Sequence, residues 1–263
     1  MKHNKFLDNL CLILVFSFLF LPILVLILFS FNTSEMNIVF EGFTIHWYKD
    51  LFSNRALIEA LINTLIVAVI STIISTIIGT ISAYALHKYN FRFKKLINEL
   101  IYIPVVIPEI VLGISLLCIY TLINLELGMI TLILAHISFS LPFVIINVRS
   151  VLENMDPNLE KAASDLGASK IKTFFYIVVP SLMPGILSGA QLAFTLSLDD
   201  VVISYFTSGP GSNTLPLHIF SMIKTGVTPD VNALISLMLL VIFITLTITT
   251  LINIRKMKGE IER

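Results

Sequence analysis

Charge is what this chain has least of: Asp, Glu, Lys and Arg make up 13% of its 263 residues, about half the share in an ordinary water-soluble domain. Lys and Arg match Asp and Glu at 17 each. With no basic excess to neutralise phosphates, a nucleic-acid partner is excluded. Cysteine is nearly absent, and Cys11 and Cys118 each stand alone in an apolar run, so they build neither a disulfide framework nor a zinc site and are read as packing residues. No Gly-x-x-x-x-Gly-Lys-Ser/Thr run occurs. The chain therefore lacks the backbone cradle that holds ATP phosphates in P-loop proteins.

What it has in abundance is apolar length. Hydrophobic residues make up 56% of the chain and the mean hydropathy is +0.93. A helix needs about 20 apolar residues to cross a hydrocarbon layer of roughly 30 Å. Segments of that order run from Leu10 to Phe31, Leu57 to Leu86, Leu100 to Ile123, Met129 to Val148, Phe174 to Phe206 and Val231 to Ile254. The expected fold is an all-α polytopic membrane protein with six transmembrane helices. Its first span is read as uncleaved, because the apolar run is too long for a signal peptide and no small-residue cleavage site follows it.

Flanking charge sets the expected orientation, since basic loops stay on the cytoplasmic side. With the N-terminus inside, all of the 17 Lys and Arg except Lys49, Arg55 and Lys224 fall inside. Both termini are then cytoplasmic, Ser212 is accessible from outside and Ser169 from inside. The external segment from Asn32 to Ala56 contains Trp47 and Tyr48, which suit a helix lying at the membrane interface. The external stretch from Thr207 to His218 is rich in turn residues whose backbone groups need water. The basic loop from His87 to Lys95 is read as a topology determinant without chemistry.

The segment from Met155 to Gly185, between the fourth and fifth spans, starts polar and carries helix signals. Asp156 can accept from free N–H groups, and Pro157 suits the first helical position. Leu159, Ala162, Ala163 and Leu166 recur at i, i+3, i+4 and i+7, one narrow apolar face. Gly167 ends the helix, as the residue that takes the left-handed conformation without penalty. Two readings stay open: a small-residue stripe that lets another protein's backbone approach, or a surface helix resting on the membrane.

The run LEKAASDLGASKIKTFFYIVVP, Leu159 to Pro180, resembles the EAA loop of permease subunits in ABC importers: Glu-Ala-Ala, three residues, Gly, nine residues, Ile-x-Leu-Pro. Ala162 and Ala163 are followed after three residues by Gly167, and nine residues later by Ile177 and Pro180. Lys161 stands where the pattern has Glu, with Glu160 before it, and Val179 replaces Leu. The likeness extends over nearly the whole chain to permeases of spermidine/putrescine importers, most specifically from Phe194 to Leu234. It implies a MetI-like type I permease fold, one transmembrane domain over residues 1–263 with a coupling loop at 155–180, in a bacterial inner membrane. It implies polyamine uptake by alternating access, with Leu159, Glu160, Ala162, Ala163, Leu166 and Gly167 coupling to an ATPase. The implied partners are a second permease subunit, a cytoplasmic ATPase dimer that binds the Mg-ATP, an extracytoplasmic polyamine-binding protein and membrane lipid. No catalysis and no cofactor are expected in this chain itself.

Carboxylates inside spans are costly and mark pathways. Glu109 follows Pro104 and Pro108, which remove helix donors, and Asp199 and Asp200 fall late in the fifth span. No Lys or Arg lies within the six expected cores. The three acids are expected to line a cation pathway with Tyr120, Tyr205 and Phe206 as neighbours, Glu109 at mid-membrane and the Asp pair toward the outside. The competing reading is that they pair with a basic group or cap a broken helix. His136 is read as packed or hydrogen-bonded. Other functional readings are a permease for a different small cation or amine, and an ion-coupled secondary transporter. The latter leaves the loop helix without purpose, and inverted repeats are not evident. An aspartyl hydrolase is disfavoured because adjacent helical residues point about 100° apart.

Overall fold

The computed structural model describes residues 5–34, 39–222 and 228–261. Twelve α-helices and one π-helical turn make up the described secondary structure. By internal packing the chain divides into two units, Met1–Ile58 with Ser221–Arg263, and Glu59–Phe220.

In the first unit, α1 (Lys5–Phe29) is apolar on all sides, and none of its described side chains from Asn9 onward is buried. A helix of that kind is stable in lipid rather than in water. Beyond it the chain folds back through an antiparallel bridge between Asn32 and Phe43. The Asn32 amide closes this loop by donating to Val39 O (2.7 Å) and accepting from Glu41 N (2.9 Å). The stretch expected to be helical around Trp47 and Tyr48 forms the short α2 (His46–Asp50). Its aromatic polar ends are used internally: Trp47 Nε1 donates to Asn32 O at 2.6 Å, and the Tyr48 hydroxyl lies 2.7 Å from Ser30 Oγ. Asn54 caps α3 (Arg55–Lys88) by accepting from Leu57 N, and its amide donates to Asp230 Oδ2 at 2.7 Å, at the start of α12 (Pro229–Ile261).

The second unit holds most of α3, followed by α4 (Lys94–Val106), α5 (Glu109–Leu122), α6 (Met129–Leu152), α7 (Asn158–Asp165) and α8 (Lys170–Thr173). A π-helical turn (Phe174–Val178) leads into α9 (Val179–Asp199), and α10 (Val202–Thr207) and α11 (Leu215–Ser221) follow. The core joins α3, α6, the π-helical turn and α9 through Ala83, Val144, Val148, Leu152, Val178 and Leu182. Close approach of α6 and α9 rests on a Gly-x-x-x-Gly pair, a spacing that brings membrane helices together. A Cβ on Gly185 would stand 2.9 Å from Asn147 O, and one on Gly189 would stand 3.1 Å from Val144 Cα.

Among the described residues, four helical segments are long and apolar enough to cross a membrane: Asn9–Phe29, Arg55–Lys88, Met129–Leu152 and Lys170–Asp199. Two expected spans are corrected. The third is not straight: α4 and α5 meet at 113°, because Pro108 disfavours the helical conformation at Ile107, which is extended (ψ 136°). The fifth ends at Asp199, where Asp200 turns extended (ψ 128°), and Val202–Thr207 forms the separate α10. The sixth expected span falls on α12, whose apolar part among the described residues is Pro229–Ile244.

The turn-rich stretch from Thr207 to His218 differs from its sequence reading. Much of its backbone is satisfied by protein: Asn63 Nδ2 donates to Gly211 O and Asn213 O at 3.1 and 3.0 Å, and Leu215 N donates to Thr64 Oγ1 at 2.7 Å. Ser212 is 1% exposed and bonds both N and O of Gly209. It is therefore not the accessible position that the sequence suggested; its neighbour Asn213 is exposed.

Candidate functional site

Two places bring the expected functional residues together. The first is the loop helix α7. Asp156 Oδ1 accepts from Asn158 N at 2.9 Å, the expected cap. At the other end Gly167 has φ +81°, Ala168 N donates to Ala163 O, and Gly167 N donates to Ser164 O. These are the two bonds of a Schellman cap.

The apolar stripe, however, is not one uniform face. Leu159 is 40% and Leu166 89% exposed, and Ala162 is exposed, whereas Ala163 is 4% exposed, packed within its own chain. Enlarging Ala163 would disturb the loop itself, so the surface left for another protein is Leu159, Ala162 and Leu166.

Glu160, whose displacement from the motif position is visible in the sequence, turns inward. Its Oε2 accepts from Tyr84 Oη at 2.9 Å and pairs with Lys88 Nζ, while Lys88 also lies 5.0 Å over the Tyr84 ring. Tyr84 packs against Phe174 at 5.0 Å. Glu160 thus ties the loop helix to the end of α3. Lys88 falls in the stretch to which the sequence reading assigned no chemistry, and a pair of residues 72 positions apart leaves no local signal.

The second place lies at the two helix breaks. Glu109 opens α5 directly after the bend at Pro108, and Asp199 ends α9; both are exposed. Helices α5 and α10 pack together, and the Phe206 ring lies on Gly113, where a Cβ would meet Cδ2 at 2.8 Å. The packing of α5 on α10 sets the break at Pro108 and the break at Asp200 on adjoining helices, where the sequence reading separates Glu109 at mid-membrane from an Asp pair toward the outside. Tyr205 is 61% exposed and meets Phe206 edge-on at 5.2 Å, while Tyr120 is 5% exposed and closed into the protein.

Asp200 behaves differently from its neighbour. Its carboxylate accepts from Ile203 N (3.1 Å), Ser204 N (2.7 Å) and Ser204 Oγ (2.8 Å), capping α10. Buried His136 stands beside it, with Nδ1 2.7 Å from Ser197 Oγ, Nε2 3.1 Å from Ser204 Oγ and Nε2 3.5 Å from Asp200 Oδ2. Since the Ser204 hydroxyl donates to Asp200, a neutral ring satisfies every partner when Nε2–H donates to Ser204 and Nδ1 accepts from Ser197. A carboxylate this buried without such donors would cost several kcal/mol. The donors to Asp200 are Ser204 and the backbone of Ile203 and Ser204, and His136, 64 positions earlier, is held beside them by serines that look in the sequence like ordinary packing residues.

The chain's residues 75–256 match the family model described as binding-protein-dependent transport system inner membrane component. It is 39% identical over 248 residues to the spermidine/putrescine transport system permease protein PotC of Haemophilus influenzae, covering 94% of this chain and 96% of that one. It is 41% identical over 231 residues to PotC of Escherichia coli K12, with 88% of each chain covered. The E. coli K12 putrescine transport system permease protein PotI is 38% identical, covering 87% of this chain and 84% of PotI. In fold it is similar to a chain of a bacterial ABC transporter that imports the acidic polysaccharide alginate, with TM-score 0.74, 14% identity and coverage of 95% and 97%. A MetNI methionine transporter chain gives TM-score 0.56 at 17% identity, covering 73% of this chain and 89% of that one. The helical fold, the broken spans and these relationships lead to one conclusion: the chain belongs to the family of binding-protein-dependent transport system inner membrane components, the membrane-embedded permease subunits of ABC importers.

Proposed function

We propose that this chain is a pathway-forming permease subunit of an ATP-driven polyamine importer, taking spermidine or putrescine across the bacterial inner membrane, with both termini in the cytoplasm. The observation that carries the substrate reading is the identity of about 40% over most of the chain to permeases named for those two amines. The site supports it chemically. Glu109 and Asp199 are exposed at adjoining helix breaks beside exposed Tyr205, and carboxylates with aromatic faces replace the hydration of a cation at separated points. Asp200 holds the break open as a cap rather than touching the cation.

Coupling is assigned to α7. Its partners are a cytoplasmic ATPase dimer that binds Mg-ATP, a second permease subunit and an external polyamine-binding protein. This chain then performs no catalysis and carries no cofactor: nucleotide-driven closure of the ATPases moves the permeases between inward-open and outward-open arrangements. Leu166, standing 89% exposed next to the Schellman cap, is the anchor offered to the ATPase. The assembly purified through this chain should contain an ATPase whose hydrolysis rises on addition of polyamine-loaded binding protein. Stimulation by a different amine, with none by spermidine or putrescine, would move the substrate assignment elsewhere.

A further inference from the structure

A cavity of 460 Å³ lies behind α7, lined by His87, Lys88, Glu160, Lys161, Ser164 and Lys170, with Met155, Pro157, Ala168 and Thr173 completing it. Three lysines and a histidine face one carboxylate there, and that carboxylate is already paired with Lys88. Lys161 and Lys170 have no ion pair among the described residues. The cavity is therefore a cationic recess with unspent charge.

Its depth relative to the membrane follows from the spans. Lys88 is the last residue of the span Arg55–Lys88, and Lys170 the first of Lys170–Asp199. The apolar runs of these two spans end at Leu86 and begin at Phe174, two and four residues from Lys88 and Lys170, so the recess lies at the polar ends of both spans. Beside it Ile171 (71%), Phe175 (61%) and Tyr176 (80%) are exposed, an apolar and aromatic surface suited to that boundary. We propose that this recess binds the phosphate of an anionic phospholipid, with Lys161 and Lys170 as its ligands and the acyl chains lying against Ile171, Phe175 and Tyr176. A basic pocket at the ends of membrane helices matches a lipid headgroup in charge and in position.

Successive helical residues turn by about 100°, so the lining residues Pro157, Glu160, Lys161 and Ser164 occupy the side of α7 opposite Ala162 and Leu166. A bound phosphate on one side leaves the other free for the ATPase. The inference rests on the membrane embedding of the chain and not on the polyamine reading, so its failure leaves that reading intact.

The test uses the full chain in nanodiscs containing equal parts phosphatidylglycerol and phosphatidylcholine, released into a mass spectrometer under conditions that keep bound lipid. Wild-type protein should retain phosphatidylglycerol selectively. The double variant Lys161→Gln, Lys170→Gln should lower the ratio of retained phosphatidylglycerol to phosphatidylcholine about tenfold. Lys172→Gln, which alters an exposed lysine outside the recess, should leave the ratio unchanged and confirms that the effect is local. Equal retention of the two lipids by wild type, or an unchanged ratio in the double variant, would overturn the proposal. Displacement of phosphatidylglycerol by millimolar inorganic phosphate would also overturn it, by marking a site for a free anion.

Discussion

Replacing Glu109 and Asp199 together by Gln and Asn is expected to lower polyamine uptake at least about tenfold at matched membrane levels, with assembly on the ATPase intact. A tenfold loss corresponds to about 1.4 kcal/mol of barrier. One carboxylate about 4 Å from a unit charge contributes about that much or more, since the interaction is roughly 4 kcal/mol at an effective dielectric of 20. Both side chains are exposed, so their amides remove charge without opening a cavity. Asp200→Asn should fail differently. An amide keeps only one of the two oxygens that accept from Ile203 N, Ser204 N and Ser204 Oγ, so the expected loss is in thermal stability and membrane level. Uptake that stays at wild-type rate in the Glu109→Gln, Asp199→Asn variant would show that the cation passes elsewhere.

The second large effect is expected at the loop helix. Leu166→Asp puts a charge on an apolar side chain that is 89% exposed and touches little of its own chain. Polyamine-stimulated ATP hydrolysis and uptake should therefore fall about tenfold or more through lost docking, while the chain still inserts. Gly167→Val acts from within: at φ +81° a β-branched residue costs on the order of 1–2 kcal/mol, loosening the two capping bonds and the position of Leu166. Uptake should fall less than with Leu166→Asp. Full coupling in the Leu166→Asp variant would remove α7 from the ATPase contact.

Long uniform elements were legible in the sequence because their signal is local. The run Leu57 to Leu86 corresponds to α3, and Met129 to Val148 to α6, with ends displaced by a few residues. The caps of α7 were legible too, since Asp156 and Gly167 act on backbone within a few residues of themselves. What escaped is held from a distance. Nothing in the residues around Asp200 breaks a helix as Pro108 does. The break there persists because His136, Ser197 and Ser204 supply a buried network for one carboxylate. The inward turn of Glu160 likewise depends on Lys88 and Tyr84. The Gly-x-x-x-Gly pair at Gly185 and Gly189 is readable from spacing alone, as a helix contact that carries no chemistry.

Polyamine passage through this chain, driven by an ATPase, is open to direct measurement. The direct measurement is accumulation of labelled spermidine and putrescine in sealed vesicles carrying the purified assembly, with the polyamine-binding protein outside and ATP inside. At least one polyamine should accumulate, in a manner that requires ATP and is lost in the Glu109→Gln, Asp199→Asn variant. Accumulation driven by a proton gradient without ATP, or ATP hydrolysis that moves neither polyamine, would contradict it.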